Sequence, residues 1–305
     1  MGSDHIGMKT RPVPPHAYFV GSAVFHYLGP AFAVLLFARV DVLGVAWLRI
    51  AAAAAVFAAW RRPWHAYAQM SASARRTVIA WGAVLAVMNT CFYLAIDRLP
   101  LGTVAAIEFL PVIALAALGA RTVRNGLALV LAVAGVYLLT DVVLEGEPLG
   151  VALALANAVL FALYIVLGHR VARSTEASGI DALGASMLVA LVVVTPLAGW
   201  AAVPAFNEPV ALAAGIGVGI ASSVIPYVCD QLAMARLARS TYALLVSLLP
   251  ATATVIGVVV LGQIPSAIEA LGVGLVVVAV AFHRDELPER AVEPELVQDR
   301  LRLLG

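Results

Sequence analysis

Apolar residues in this chain gather into long runs separated by short loops, where most of the arginines and many of the prolines lie. The runs fall at about 17–37, 43–60, 77–96, 103–120, 125–143, 148–168, 182–200, 210–233, 241–261 and 266–282. Each comes close to the roughly 20 residues that a helix needs to cross a bilayer at about 1.5 Å per residue. The pattern therefore predicts an all-α polytopic membrane protein of about ten transmembrane helices. The first run has no small-residue cleavage site and leads on into another span, so it reads as a retained helix rather than a signal peptide.

Composition agrees. Of 305 residues 63% are hydrophobic and 12% charged, and the mean hydropathy is +0.98, a surface no soluble domain of this size tolerates. The formal net charge of +1 gives no indication of a nucleic-acid partner. Where the charges sit is more informative. With a cytoplasmic N-terminus, the inner loops hold Lys9, Arg11, Arg61, Arg62, Arg75, Arg76, Arg121, Arg124, Arg170, Arg173, Arg236, Arg239 and Arg284. The outer loops keep only Arg39 and Arg98. Cationic residues are retained on the cytoplasmic side, so both termini are expected there, with the acidic connector of Asp141, Glu145 and Glu147 outside. Cys91 and Cys229 lie inside apolar runs and read as buried thiols rather than a disulfide or zinc framework.

The chain also repeats. Ala95, Arg98, Leu99, Thr103 and Ala105 match Ala233, Arg236, Leu237, Thr241 and Ala243 at one offset, which also places Cys91 on Cys229; one residue further on, Pro111 answers Pro250. With about five spans in each half, equivalent helices run in opposite directions, the inverted repeat of many transporters. The expected organisation is a tail at 1–16, five-helix repeats at 17–143 and 148–283, and a second cytoplasmic tail at 284–305.

One acid stands out. Glu108 lies inside the fourth run, three residues before Pro111. An acid near a helix centre costs roughly 2.5 to 3.5 kcal/mol to insert. It is therefore expected to face a protein interior or a wet cavity, and the proline loosens backbone that such a cavity can hydrate. Arg49 on the second span lies at a similar depth, so an ion pair with Glu108 is expected; the alternative is that Arg49 snorkels to the headgroups. His26 and Asn157 fall near the midplane as ligand contacts or interhelical hydrogen-bond formers. Asn89, Tyr93, Tyr164, Tyr227 and Ser247 are similar candidates, and Pro111 and Pro250 are the expected helix breaks. Gly215, Gly217 and Gly219 read as small residues that let one helix approach another closely.

Several blocks carry a family resemblance: GPAFAVLLFARVDVLGVAWLRIAAAA at 29–54, FYLAIDRLPLGTVAAIEFLPV at 92–112, ALYIVLGHRVA at 162–172, and the stretch from SSVIPYVCDQLAMARLARS to VVVLGQ at 222–263. Over residues 17–283 the chain resembles the EamA family of the drug/metabolite transporter superfamily, and within it the threonine/homoserine exporter branch. The resemblance implies a ten-helix inner-membrane exporter of small metabolites with a cavity shared by two halves. Glu108 matches the acid of the family's L-E-F block and Asp230 that of its P-Y-x-L-E block. Asp230 also stands near enough to Arg236 and Arg239 to pair at the surface. Two family acids are neutral here, since S-L-E-P becomes Ser247-Leu248-Leu249-Pro250 and L-G-E becomes Leu261-Gly262-Gln263.

No HExxH, GxSxG or Walker motif occurs, and the only lysine is Lys9 in the tail. An enzyme is not expected, nor is a cofactor or a metal. The expected function is export of small polar metabolites, with amino acids such as threonine or homoserine foremost, by alternating access. Drugs, nucleosides or cell-envelope precursors are the other substrates in view, and an intramembrane enzyme or receptor is the competing class. The expected partners are a small-molecule substrate and the lipid bilayer, with a homodimer left open.

Overall fold

A computed structural model describes residues 15–111, 122–144, 147–173, 178–234 and 249–282, and every regular element among them is helical. Helix α1 covers Pro15–Leu36 and α2 Val42–Arg61, the latter started by Asp41, whose Oδ1 accepts from Leu43 N at 2.8 Å. After a short surface helix α3, Trp64–Gln69, α4 runs over Ala72–Ile96 with Ser71 as its cap. Then follow α5 Leu101–Glu108, α6 Val123–Leu144, α7 Pro148–Arg173 and α8 Gly179–Ala198, which continues as a 3-10 helix over Gly199–Asn207. Helices α9 Pro209–Gly219 and α10 Ile225–Met234 are joined by a π turn at Ile220–Val224. Helices α11 Leu249–Leu261 and α12 Ala267–Phe282 complete the order. Ser266 and Glu269 start α12 with reciprocal caps, Ser266 N to Glu269 Oε2 at 2.8 Å and Glu269 N to Ser266 Oγ at 3.2 Å.

Six of these stretches are long and apolar enough to cross a membrane, and three shorter apolar helices accompany them among the described residues. The surface is inverted relative to a soluble protein. Val130, Val159, Val192 and Val259 are exposed, while Arg49, Asn89, Glu108, Asn157, Ser222 and Ser223 are buried. Apolar side chains outside and polar ones inside are what a lipid solvent requires. The chain is a polytopic membrane protein.

The described loops sort onto two rims, one α2 length apart, about 30 Å. On one rim Arg61 grips Asp181 through two bonds of 2.8 and 3.1 Å. On the other, Arg39 pairs with Glu208 at 3.0 Å, and Gln263 Oε1 accepts from Leu101 N, an otherwise unpaired first-turn donor of α5. Trp60 and Trp64 are exposed near the first rim and Trp200 near the second, the positions amphipathic rings take at a bilayer interface.

Between the rims, α4 packs on α7 and α8, α1 on α9, α10 and α11, α2 on α8 and α9, α5 on α7 and α11, and α6 on α12. Close approach comes from glycine. Gly215 and Gly219 set α9 against α2, touching Leu48 and the Arg49 backbone, whereas a side-chain carbon at Gly217 would meet nothing within 4 Å. Gly217 therefore plays no part in the packing expected of it.

Candidate functional site

Glu108 ends the regular part of α5, and Pro111 is the last residue described before the next segment. Its carboxylate is buried, and Asn157 on α7 donates from Nδ2 to Oε1 at 3.0 Å. Next to it, Phe109 meets Phe161 of α7 edge-on at 6.1 Å, which fixes the register of the two helices at the acid.

Arg49 is only 5% exposed, so it does not snorkel. Nor does it form an ion pair with Glu108. The guanidinium turns to the π turn instead: Nε donates to Ser223 Oγ at 2.9 Å and one Nη to the Ser222 carbonyl at 3.1 Å, with the Tyr93 ring 5.3 Å from its centre. The sequence explains the acceptor. Pro226 has no N–H to offer the carbonyl four residues back, which is that of Ser222, so this oxygen is open to a partner from outside the helix. Arg49 nevertheless stays near Glu108, His26 and Tyr93.

A ladder of rings joins the helices around these charges. His26 contacts Tyr27 at 5.4 Å and Tyr227 at 6.4 Å; Tyr227 stacks on Tyr164 at 6.4 Å, and Tyr164 on Phe161 at 6.3 Å. Trp81 lies 5.4 Å from Tyr164. The ladder ties α1, α4, α7 and α10 together, and through Phe161 it ends beside Glu108.

Five polar side-chain atoms on these elements are buried without a hydrogen-bond partner: Tyr27 OH, Trp81 Nε1, Tyr93 OH, Asn157 Oδ1 and Ser222 Oγ. The Tyr93 hydroxyl is near both Arg49 and Ser222 but has hydrogen-bond geometry to neither. An unmet buried polar group costs roughly 1 to 3 kcal/mol. Several together, beside an acid and a guanidinium, suit a site that a small polar solute completes.

Of the residues expected from sequence, Glu108, Arg49, His26, Tyr93, Asn157, Tyr164 and Tyr227 are linked by these contacts. Asn89 is buried nearby but turns its Nδ2 to Leu85 O of its own helix at 2.8 Å. Pro250 is buried at the start of α11. Asp230 lies on α10, but its side chain, together with Ser247, Arg236 and Arg239, is outside the described residues. Sequence reasoning does not single out Ser222, Ser223 or Tyr27; for the serines, Pro226 is the available signal.

Comparison with known proteins adds an independent line. Residues 148–283 match the EamA-like transporter family. The chain is 31% identical over 254 residues to the threonine/homoserine exporter RhtA of Escherichia coli K12, covering 82% of this chain and 84% of the relative. It is 30% identical, with the same coverage, to the threonine/homoserine exporter RhtA of Salmonella typhimurium LT2.

Proposed function

Because the chain belongs to the EamA-like transporter family, we propose that it is an inner-membrane secondary exporter of small amino acids, threonine and homoserine among them, working by alternating access. The observation that carries this reading is the likeness to threonine/homoserine exporters over most of the chain, together with a buried site that holds both an acid and a guanidinium.

An inverted repeat is supported by the way helix contacts occur in mates. The contact of α1 with α10 is matched by α7 with α4, that of α1 with α11 by α7 with α5, and that of α2 with α9 by α8 with α4. Exchanging the two halves turns each pair into its mate. Asn89 and Tyr227, related by the offset that places Cys91 on Cys229, both lie in the central region. Repeats packed in this way rock against each other about a site between them, which is the geometry alternating access needs.

Efflux tests the function. Cells preloaded with threonine or homoserine should release it several-fold faster with the protein than with an empty vector. Equal rates for these and other small amino acids would sink the proposal. Orientation is tested separately, by labelling single cysteines in a protein lacking Cys91 and Cys229. Glu145→Cys should react from outside the cell, and Arg75→Cys only after permeabilisation. The reverse pattern would place both termini outside.

A further inference from the structure

We propose that the site holds its substrate as a zwitterion stretched between two poles, Glu108 with Asn157 taking the α-ammonium, and Arg49 with Ser222 and Tyr93 taking the α-carboxylate. This rests on the reading that the substrate is an amino acid, and it assigns which residues read which group.

The first observation is that Arg49 and Glu108, a base and an acid, are both buried and near each other, yet not in contact. Two such groups in a low-dielectric interior gain by closing on each other unless the backbone holds them apart. Here each is held by a neutral partner on a different element. Asn157 on α7 holds the carboxylate, and the π turn holds the guanidinium through two N–H groups, leaving further donors on the same fork. Two hydrogen bonds of about 2.9 Å with an amino-acid head between them need a gap wider than a contact ion pair.

The second observation is how the unpartnered atoms are sorted. Beside Glu108 one free atom is Asn157 Oδ1, an acceptor, because the amide's donor end is fixed by its bond to the carboxylate; the Tyr27 hydroxyl is also unpartnered and can accept from an ammonium through its lone pairs. An ionised carboxylate only accepts, so this pole presents acceptors to the three donors of an ammonium. Near Arg49 the free atoms are the hydroxyls of Tyr93 and Ser222, which can donate alongside the guanidinium. That pole suits a carboxylate, the ligand for which a guanidinium fork is shaped. A solute carrying only one of the two groups leaves the other pole buried and unmatched, and sites built to pair a polar group discriminate strongly against analogues that lack it.

The test is binding, so it does not depend on turnover. Thermal stabilisation of the purified full-length protein would be titrated with threonine, with 1-aminopropan-2-ol, which lacks the carboxylate, and with 3-hydroxybutyrate, which lacks the amine. Wild type should bind both analogues at least about 100-fold more weakly than threonine. Glu108→Gln should weaken threonine and 1-aminopropan-2-ol while leaving 3-hydroxybutyrate unchanged; Arg49→Gln should do the converse. If Arg49→Gln does not fold, Ser222→Ala must shift selectivity in the Arg49 direction by several-fold. Equal losses for both analogues in both variants, or the reverse assignment, would overturn the two-pole site while leaving an amino-acid exporter standing. Failure of wild type to bind any amino acid would instead sink the proposed function itself.

Discussion

Glu108→Gln is expected to reach the membrane in wild-type amounts and to export threonine at least about tenfold more slowly, near the rate of cells carrying an empty vector. The two halves of that result have separate causes. Glutamine keeps the volume and an amide oxygen that Asn157 Nδ2 can still meet at the 3.0 Å position, and it removes a charge that is costly to insert. Folding and insertion therefore do not suffer. Export does, because a buried carboxylate is the strongest group in the site for holding a cationic amine, and a lost charge-assisted bond of about 1.5 to 3 kcal/mol corresponds to a factor of roughly ten to a hundred. Asp230→Asn is the comparison. Asp230 belongs to α10, and Arg236 and Arg239 follow it closely in sequence, so a charge there is expected to have a partner other than substrate and the variant should keep a substantial fraction of activity. Efflux normalised to protein in the membrane decides the matter. Wild-type efflux by Glu108→Gln would make the acid structural and move the search for the site to His26, Tyr93 and Tyr227.

The difference between what sequence could and could not reveal follows from one geometric fact. A position along a helix translates into depth at a fixed rise, but the direction in which the side chain points depends on which helix lies beside it. Depth was enough to bring His26 and Asn157 to one level, near the midplane, and Arg49 and Glu108 to another. It was not enough to pair Arg49 correctly, because Arg49 and Glu108 share a depth while their side chains turn to different neighbours, the π turn and α7. The apolar run at 210–233 likewise reads as one continuous span. The π turn at Ile220–Val224 interrupts it without any loss of hydrophobicity, and only Pro226 hints at the break. The long spans themselves were legible, since α2, α4, α7 and α8 begin and end within a few residues of the apolar runs wherever a cap or a proline stops them. Gly215, Gly217 and Gly219 are a different case. Helical spacing puts Gly215 and Gly219 on one face and Gly217 on the opposite one, and it is the first two that meet α2 while the third meets nothing.

Gly29→Ala and Gly217→Ala should consequently act in opposite directions, although each adds a single methyl group to a helical glycine. At Gly29, α1 crosses the π turn so closely that an added carbon would lie 2.7 Å from Ser222 N and 2.9 Å from its Cα, with the Ser222 hydroxyl nearer still. Backbone cannot yield as a flexible side chain does, and this backbone is also held by Arg49 through the Ser222 carbonyl at 3.1 Å. Relieving the clash must push α1 away from the turn and shift the carbonyl that positions the guanidinium. Overpacking of this kind typically costs about 1 to 3 kcal/mol. For a chain of this size that is roughly a 5 °C fall in Tm, and export should drop with it because Arg49 loses its seat. At Gly217 the added carbon meets no atom within 4 Å, and alanine favours a helix over glycine by about 1 kcal/mol. That variant should melt at or slightly above wild type and export normally. Melting of the two purified proteins, set beside their efflux rates, separates the cases. A Gly29→Ala protein as stable and active as wild type would mean that α1 and the π turn are not in contact at Ser222, and the placement of Arg49 argued from that contact would fall with it.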